Sequence, residues 1–347
     1  MKRTIINIAS GKGGTGKTLL ACVLADMLGN TSSHKVVVVD LDFFVRGLTS
    51  LLYFHSDERL HITNDDQLPV SKFFINKIYD KSPLDAKLAM LKYRSFEVVP
   101  AVSRIDERLN FQDIGPDTRL EAQKVLENIL SEIPEEYEFV ILDSRAGYDE
   151  LVAATHAISD VTICVEEPDP ISRITADNLV SQLTADSGPP IFRVTNKARG
   201  FGAAEEYENK SRSVNDLGEI PFDMDIMRNF GSTNFWGQVS NSLYRWALVK
   251  AWNRLSQKLQ LNAELPVTRT SPLGNERVEA RIGVLPLKER MLFVYGIILA
   301  VVGVLYGLLG REFMFALQED PTRAVSFVMG LGGALIAVYA ILRRGRW

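Results

Sequence analysis

Cysteine is scarce in this chain of 347 residues, with Cys22 and Cys164 the two present. They lie too far apart for a C-x-x-C metal site and are too few for a disulfide framework. Each sits in an apolar run, so buried free thiols in a reducing cytoplasm are expected. Histidine is almost as sparse: His34, His55, His61 and His156 show no metal-ligand spacing, which leaves a histidine-based catalytic centre without support. An excess of basic charge is also missing, with 39 Lys and Arg against 43 Asp and Glu and a net charge of −4, so no global argument for nucleic-acid binding exists. Neither an internal repeat nor a low-complexity segment is found. No signal peptide is expected, because Met1 to Arg3 lead straight into a strand-like run. What is present is 46% hydrophobic residues, enough to build one large α/β domain with an extension.

The stretch that organises the rest runs from Ile5 to Thr18, IINIASGKGGTGKT. A β-branched run enters a glycine-rich turn that closes on Gly16, Lys17 and Thr18, satisfying G-x-x-x-x-G-K-[ST] from Gly11 onward, with a helical run from Leu19 behind it. Glycines let backbone N–H groups fold around anionic oxygens, and the following helix N-terminus adds partial positive charge. Gly11, Gly13, Gly14, Thr15, Gly16, Lys17 and Thr18 are therefore the candidate phosphate contacts. Downstream, KVVVVD ends in Asp40 and continues as DLD to Asp42, and EFVILD ends in Asp143. Acids at the carboxyl ends of buried strands lie where open α/β sheets bind ligands, and Asp143 is the favoured magnesium acid. Further strand-like runs at 96–100, 161–165, 191–195 and 217–220 alternate with helical ones at 119–133, 171–183 and 240–259. The helix over 119–133 is expected to bury Leu120, Leu126, Ile129, Leu130 and Ile133. The expected architecture is a doubly wound, mostly parallel sheet. Residues 53–93 are the least informative, with one or two short helices expected over 72–91.

Charge is absent from two further stretches, Met291 to Leu309 and Ala324 to Leu342, each 19 residues long. That is about the length needed to cross a bilayer core, and the two are read as a transmembrane hairpin. Lys288 and Arg290 flank the first run and Arg343, Arg344 and Arg346 follow the second, so positive-inside bias puts both ends in the cytoplasm, at the inner (cytoplasmic) membrane. The expected domains are 1–260, a proline-bearing linker over 261–289, and the hairpin with its basic tail over 290–347.

The loop GKGGTGKT, the DLD after the second strand, LDSRAG, HAISDVTICVEEPDP, VTNKAR and LGEIPFDMDIM together resemble the ParA/MinD family of deviant Walker P-loop ATPases, most closely its MinD-like branch, over roughly residues 2–260. The resemblance implies ATP and Mg2+ as cofactors. It implies that Lys17 contacts the β- and γ-phosphates, Thr18 and Asp143 hold magnesium with Asp40 in its shell, and Asp42 orients the attacking water. Asn196 would read the adenine edge, favouring ATP over GTP. Lys12, the family's second loop lysine, would reach the partner's nucleotide in a sandwich homodimer. Arg145 departs from the pattern, where proline is common, and would tune hydrolysis or pair with Glu150.

The function these features imply is a membrane-anchored, ATP-dependent dimerisation switch that hydrolyses ATP, slowly without a partner, and recruits or activates an unidentified protein. Two other classes stand beside it. A membrane-bound tyrosine kinase of the bacterial type shares the fold, but its tyrosine cluster is missing after the second charge-free run. A nucleotide-stabilised membrane scaffold would bind nucleotide with negligible turnover.

Overall fold

Four consecutive valines can be buried on both faces only in a sheet that carries helices on both sides, and the chain puts them there, in a strand buried from end to end. The computed structural model describes residues 3–30, 34–54, 62–78, 87–110, 116–185, 188–198, 215–240 and 242–267. In chain order these form β1 (Thr4–Ser10), α1 (Lys17–Asn30), β2 (Val36–Asp40), α2 (Gly47–Phe54), β3 (Gln67–Leu68), α3 (Val70–Ile75), β4 (Lys87–Leu88), β5 (Leu91–Tyr93) and β6 (Phe96–Val99). They continue as α4 (Arg119–Glu132), β7 (Phe139–Ala146), α5 (Glu150–Ile158), β8 (Val161–Glu166), α6 (Pro170–Thr184), β9 (Ile191–Ala198), β10 (Asp216–Pro221), α7 (Met224–Asn229), α8 (Phe235–Ser240) and α9 (Leu243–Leu259).

The main sheet has the order β10-β9-β8-β1-β7-β2-β6-β5 and is parallel except at its edge, where β5 turns back on β6. Alternate residues of each strand feed opposite layers. Ile6, Ile8, Val36 and Val38 pack with α1 and α9, whereas Val37, Val39, Val140 and Leu142 pack with α4 and α5. This is the expected doubly wound, mostly parallel sheet, and β1, β2, β6, β7, β8, β9 and β10 occupy the seven strand-like runs. Both cysteines are buried free thiols.

Several expectations are corrected. In the weakly patterned stretch the chain forms α3 together with β3, β4 and β5, strands of two or three residues that are too short to show a period. Leu120 is 61% exposed, because α4 turns Ala122, Val125, Leu126 and Ile129 to the core and its first turn lies outside that stripe. The helix expected over 240–259 is α9, which starts at Leu243; Ser240 closes α8 instead. Ser242 stands between them and accepts the Arg245 N–H at 3.1 Å as the N-cap of α9.

The segment read as the start of a linker is also different. Gln260 ends α9 in a left-handed conformation, φ 55°, and the chain then packs back: Trp252 Nε1 donates to the Ala263 carbonyl at 2.6 Å. Asn253 both donates to the Leu265 carbonyl and accepts its N–H, each at 2.8 Å. Ala263 and Leu265 are buried, so the α/β domain continues at least to Leu265. Among the described residues no helix is long and apolar enough to cross a membrane. The charge-free runs 291–309 and 324–342 lie outside the described residues.

Trp252→Ala empties a buried site and removes the donor to Ala263, and is expected to cost about 3–5 kcal/mol. Leu120→Ala, at an exposed position, is expected to stay within about 0.5 kcal/mol. Urea unfolding of the two variants side by side checks the contrast.

Candidate functional site

Parallel register gathers the sequence-predicted residues at one sheet edge. β7 lies between β1 and β2, with Ile8 opposite Asp143 and Asp143 opposite Asp40. The glycine-rich loop between β1 and α1, the DLD segment after β2 and the end of β7 therefore meet side by side.

The glycines are required for different reasons. Gly14 and Gly16 have φ of 80° and 92°, a region that side-chain-bearing residues avoid. A Cβ at Gly11 would run into the Thr175 backbone of α6, and one at Gly16 into the Asn196 side chain. A Cβ at Gly13 would meet nothing within 4 Å. Lys17 is buried and donates to Ser10 Oγ at 3.0 Å. Burial lowers its pKa, and Asp143 and Asp42 draw it back up. The Thr18 side chain borders Gly47 at the start of α2.

The two buried acids are treated oppositely. Asp40 Oδ2 accepts the Thr49 N–H at 2.8 Å and the Thr49 hydroxyl at 2.7 Å, while Oδ1 accepts the Asp42 N–H at 3.1 Å. Both its oxygens are thus engaged in fixing α2 and the DLD turn. Asp143 is equally buried, yet neither oxygen has a hydrogen-bond partner of good geometry. Burial, reinforced by Asp40, raises its pKa, and Lys17 offsets this only in part. A buried carboxylate with two unsatisfied oxygens beside a phosphate loop fits a magnesium ion, which would supply the missing charge. Thr15 Oγ1 is likewise buried without a partner. Among the described residues no group of three or more His, Cys, Asp and Glu could hold a metal by itself, so the donor set here suits an ion that also takes phosphate oxygens and water. Asp42 is partly exposed, and its Oδ1 accepts the Val45 N–H at 3.1 Å.

Lys12 is held within its own subunit, by Glu167 at 2.7 Å and Asp169 at 2.9 Å, and these contacts raise its pKa. Glu167 also pairs with Lys197 at 2.6 Å. Burial would push the Glu167 carboxyl up, but hydrogen bonds from the two lysines outweigh it and hold the group below its ordinary value. Lys197 Nζ reaches the Gly14 carbonyl as well. Asn196 is buried, donating through Nδ2 to the Thr15 carbonyl at 2.7 Å and accepting the Lys197 N–H at 2.9 Å. It therefore supports the loop from beneath. Arg145 pairs with Asp149, at 3.0 Å, rather than with Glu150.

Glu167, Asp169, Lys197, Thr49 and Arg46 were not among the sequence-predicted site residues. Arg46 has φ 55° and donates to the carbonyls of Phe43, Ile105 and Glu107, pinning the loop after Asp42. The acids of VEEPDP carried a signal, since Asp169 before Pro170 marks a helix start, but only the pairing of β8 with β1 brings them to Lys12.

Two measurements test this geometry. Gly11→Ala is expected to abolish fluorescent-nucleotide binding and Gly13→Ala to retain it within about threefold. Because burial raises the Asp143 pKa from 3.8 to about 7, the folded chain keeps a proton that the unfolded chain releases, and the stability present below about pH 4 is lost progressively as pH rises to about 7. In metal- and nucleotide-free protein, Asp143→Asn is thus expected to raise the thermal midpoint by a few degrees at pH 8, by less at pH 5 and hardly below about pH 4.

The comparisons with known proteins fall on these same residues. The profile of the AAA domain family AAA_31 matches residues 3–185. A ParA family protein of Mycoplasma genitalium is 29% identical over 172 residues, 49% of this chain and 61% of that protein. The septum site-determining protein MinD of Synechocystis is 25% identical over 195 residues, 56% of this chain and 65% of that one. The chain thus spans less than two thirds of the length of these relatives. Among solved structures, MinD of Pyrococcus horikoshii, complexed with Mg-ADP, shares the fold at 19% identity and a TM-score of 0.53, covering 76% of this chain and 100% of that one. The family match spans the loop and both acids, so the chain belongs to the AAA domain family, among the ParA/MinD-like P-loop proteins.

Proposed function

We propose that the chain is a membrane-anchored, Mg-ATP-dependent dimerisation switch that hydrolyses ATP and recruits or activates a protein partner. The observation that carries this reading is the distribution of exposed apolar side chains. Phe44 and Val45 follow β2, Tyr148 follows β7, Ile171 and Ile174 open α6 after β8, and Phe222, Met224 and Met227 follow β10. All stand at the sheet edge that carries the loop, on both sides of it. Scattered exposed apolar residues need no explanation, but a set gathered along one functional edge marks a surface that another protein covers. A second copy fits, because it would cover that edge and bring Lys12 within reach of the partner's phosphates.

In this reading Lys17 and the loop amides hold the β- and γ-phosphates, Thr18 and Asp143 hold magnesium, and Asp42 orients the attacking water. The ion, when bound, neutralises charge on the phosphates. Asp40 acts through Asp42, whose amide it holds. Asn196 keeps a second amide hydrogen and a second lone pair for the adenine edge. ATP drives the switch by its different affinity for the two states: the γ-phosphate gives Lys12 a partner across the interface to set against Glu167 and Asp169 in its own subunit. The charge-free runs 291–309 and 324–342 anchor the chain in the inner membrane, with the α/β domain and C-terminus in the cytoplasm. Confinement to a plane raises the concentration of each subunit for the other.

Lys12→Ala is expected to bind ATP within a fewfold of wild type and to lose both nucleotide-dependent dimerisation and most turnover. Asp42→Ala should dimerise on ATP without releasing phosphate, which makes it the bait for the partner. Size-exclusion light scattering and phosphate release on the purified full chain measure both, and an unaltered Lys12→Ala protein sinks the switch. Membrane extraction at high pH tests the anchor: release into the soluble fraction rules it out.

A further inference from the structure

Arg145 lies between the two acids' loops and touches both. β7 does not stop at Asp143; it runs on through Ser144 and Arg145 to Ala146, which pairs with Ser10 after a shift in register. From that extension the Arg145 guanidinium reaches Asp149 Oδ2 at 3.0 Å, while Asp149 Oδ1 accepts the Val152 N–H at 2.8 Å as the N-cap of α5. The same guanidinium stands over the Phe44 ring, 5.6 Å from its centroid. Phe44 follows Asp42 by two residues and precedes Val45, whose N–H binds the Asp42 carboxylate.

We propose that Arg145 is a positioning residue that couples the Asp42 loop to the strand extension beyond Asp143, setting the water-orienting acid against the magnesium acid. The inference rests on the functional reading above. A planar guanidinium can stack on a ring and bind a carboxylate with its edge at the same time, which an ammonium does poorly. The contact also links the nucleotide edge to α5, because the carboxylate that caps the helix is the one that anchors the arginine. Phe44 is 41% exposed, so covering this edge with a second copy would bury the cation–ring pair and strengthen it.

The test uses the full-length chain with Arg145→Ala, Arg145→Lys, Phe44→Ala and the Arg145→Ala/Phe44→Ala double variant. Amide hydrogen exchange of residues 42–46 is compared with that of β9 as an internal reference. Arg145→Ala and Phe44→Ala are each expected to speed exchange over 42–46 by roughly three- to tenfold while β9 is unchanged, and the double variant to go no further than either single one. Arg145→Lys should restore less than half of the protection. In phosphate release, Arg145→Ala should lower kcat by a similar factor while ATP affinity stays within about twofold.

Effects that multiply in the double variant, unaltered exchange over 42–46, or full rescue by lysine would each overturn the coupling. If the wild type binds ATP without turnover, the functional reading fails, and the exchange experiment still decides whether Arg145 joins the two loops.

Discussion

Burying Lys17 and Asp143 at the same strand edge is the constraint on which the rest of the site depends. Each would be costly to bury alone. Lys17 is held by Ser10 and drawn by the charge of Asp143 and Asp42, whereas Asp143 has no hydrogen-bond partner of good geometry. A second acid so close would make the charge imbalance worse, and Asp40 is accommodated because Thr49 and the Asp42 amide satisfy it. The result is a division of labour between two residues of one type at opposed register positions. Asp40 builds the loop, and Asp143 stays open to an ion.

The cradle around these charges is set by backbone approach more than by side-chain chemistry. Gly11 lets the loop pass against the Thr175 backbone, and Gly16 lets it rest on Asn196. Asn196 and Lys197 then hold the loop from β9 through the Thr15 and Gly14 carbonyls. Strands β1, β8 and β9 thus share the work of shaping a turn that belongs to β1 alone in sequence.

The legible part of this protein was local. A strand, a glycine turn and a lysine lie in 14 consecutive residues, and KVVVVD and EFVILD show in their own composition that they are buried on both faces. The partners of Lys12 were not legible, because Asp169 is 157 positions away and comes near only through the order in which strands pair. Leu120 misled for a related reason: its spacing fits a helix face, but whether a first turn is covered depends on what stands opposite. The short strands β3, β4 and β5 have too few residues for alternation to register. The packing of Ala263 and Leu265 was hidden by prolines and mixed charge that look like a linker. Their burial comes from Trp252 and Asn253 on the preceding helix.

That returning segment closes the domain at one end of the sheet. Trp252 meets Phe139, the first residue of β7, edge to face, and Arg254 donates to the carbonyl of Leu217 near the start of β10. The segment therefore lies by the amino ends of the strands, while the glycine loop lies at their carboxyl ends. The segment that closes the domain and the turn that would hold phosphate are thus kept at opposite ends of the same parallel sheet. A change in how Ala263 and Leu265 pack is therefore felt first by Trp252 and Phe139, a full strand length away from Lys17 and Asp143.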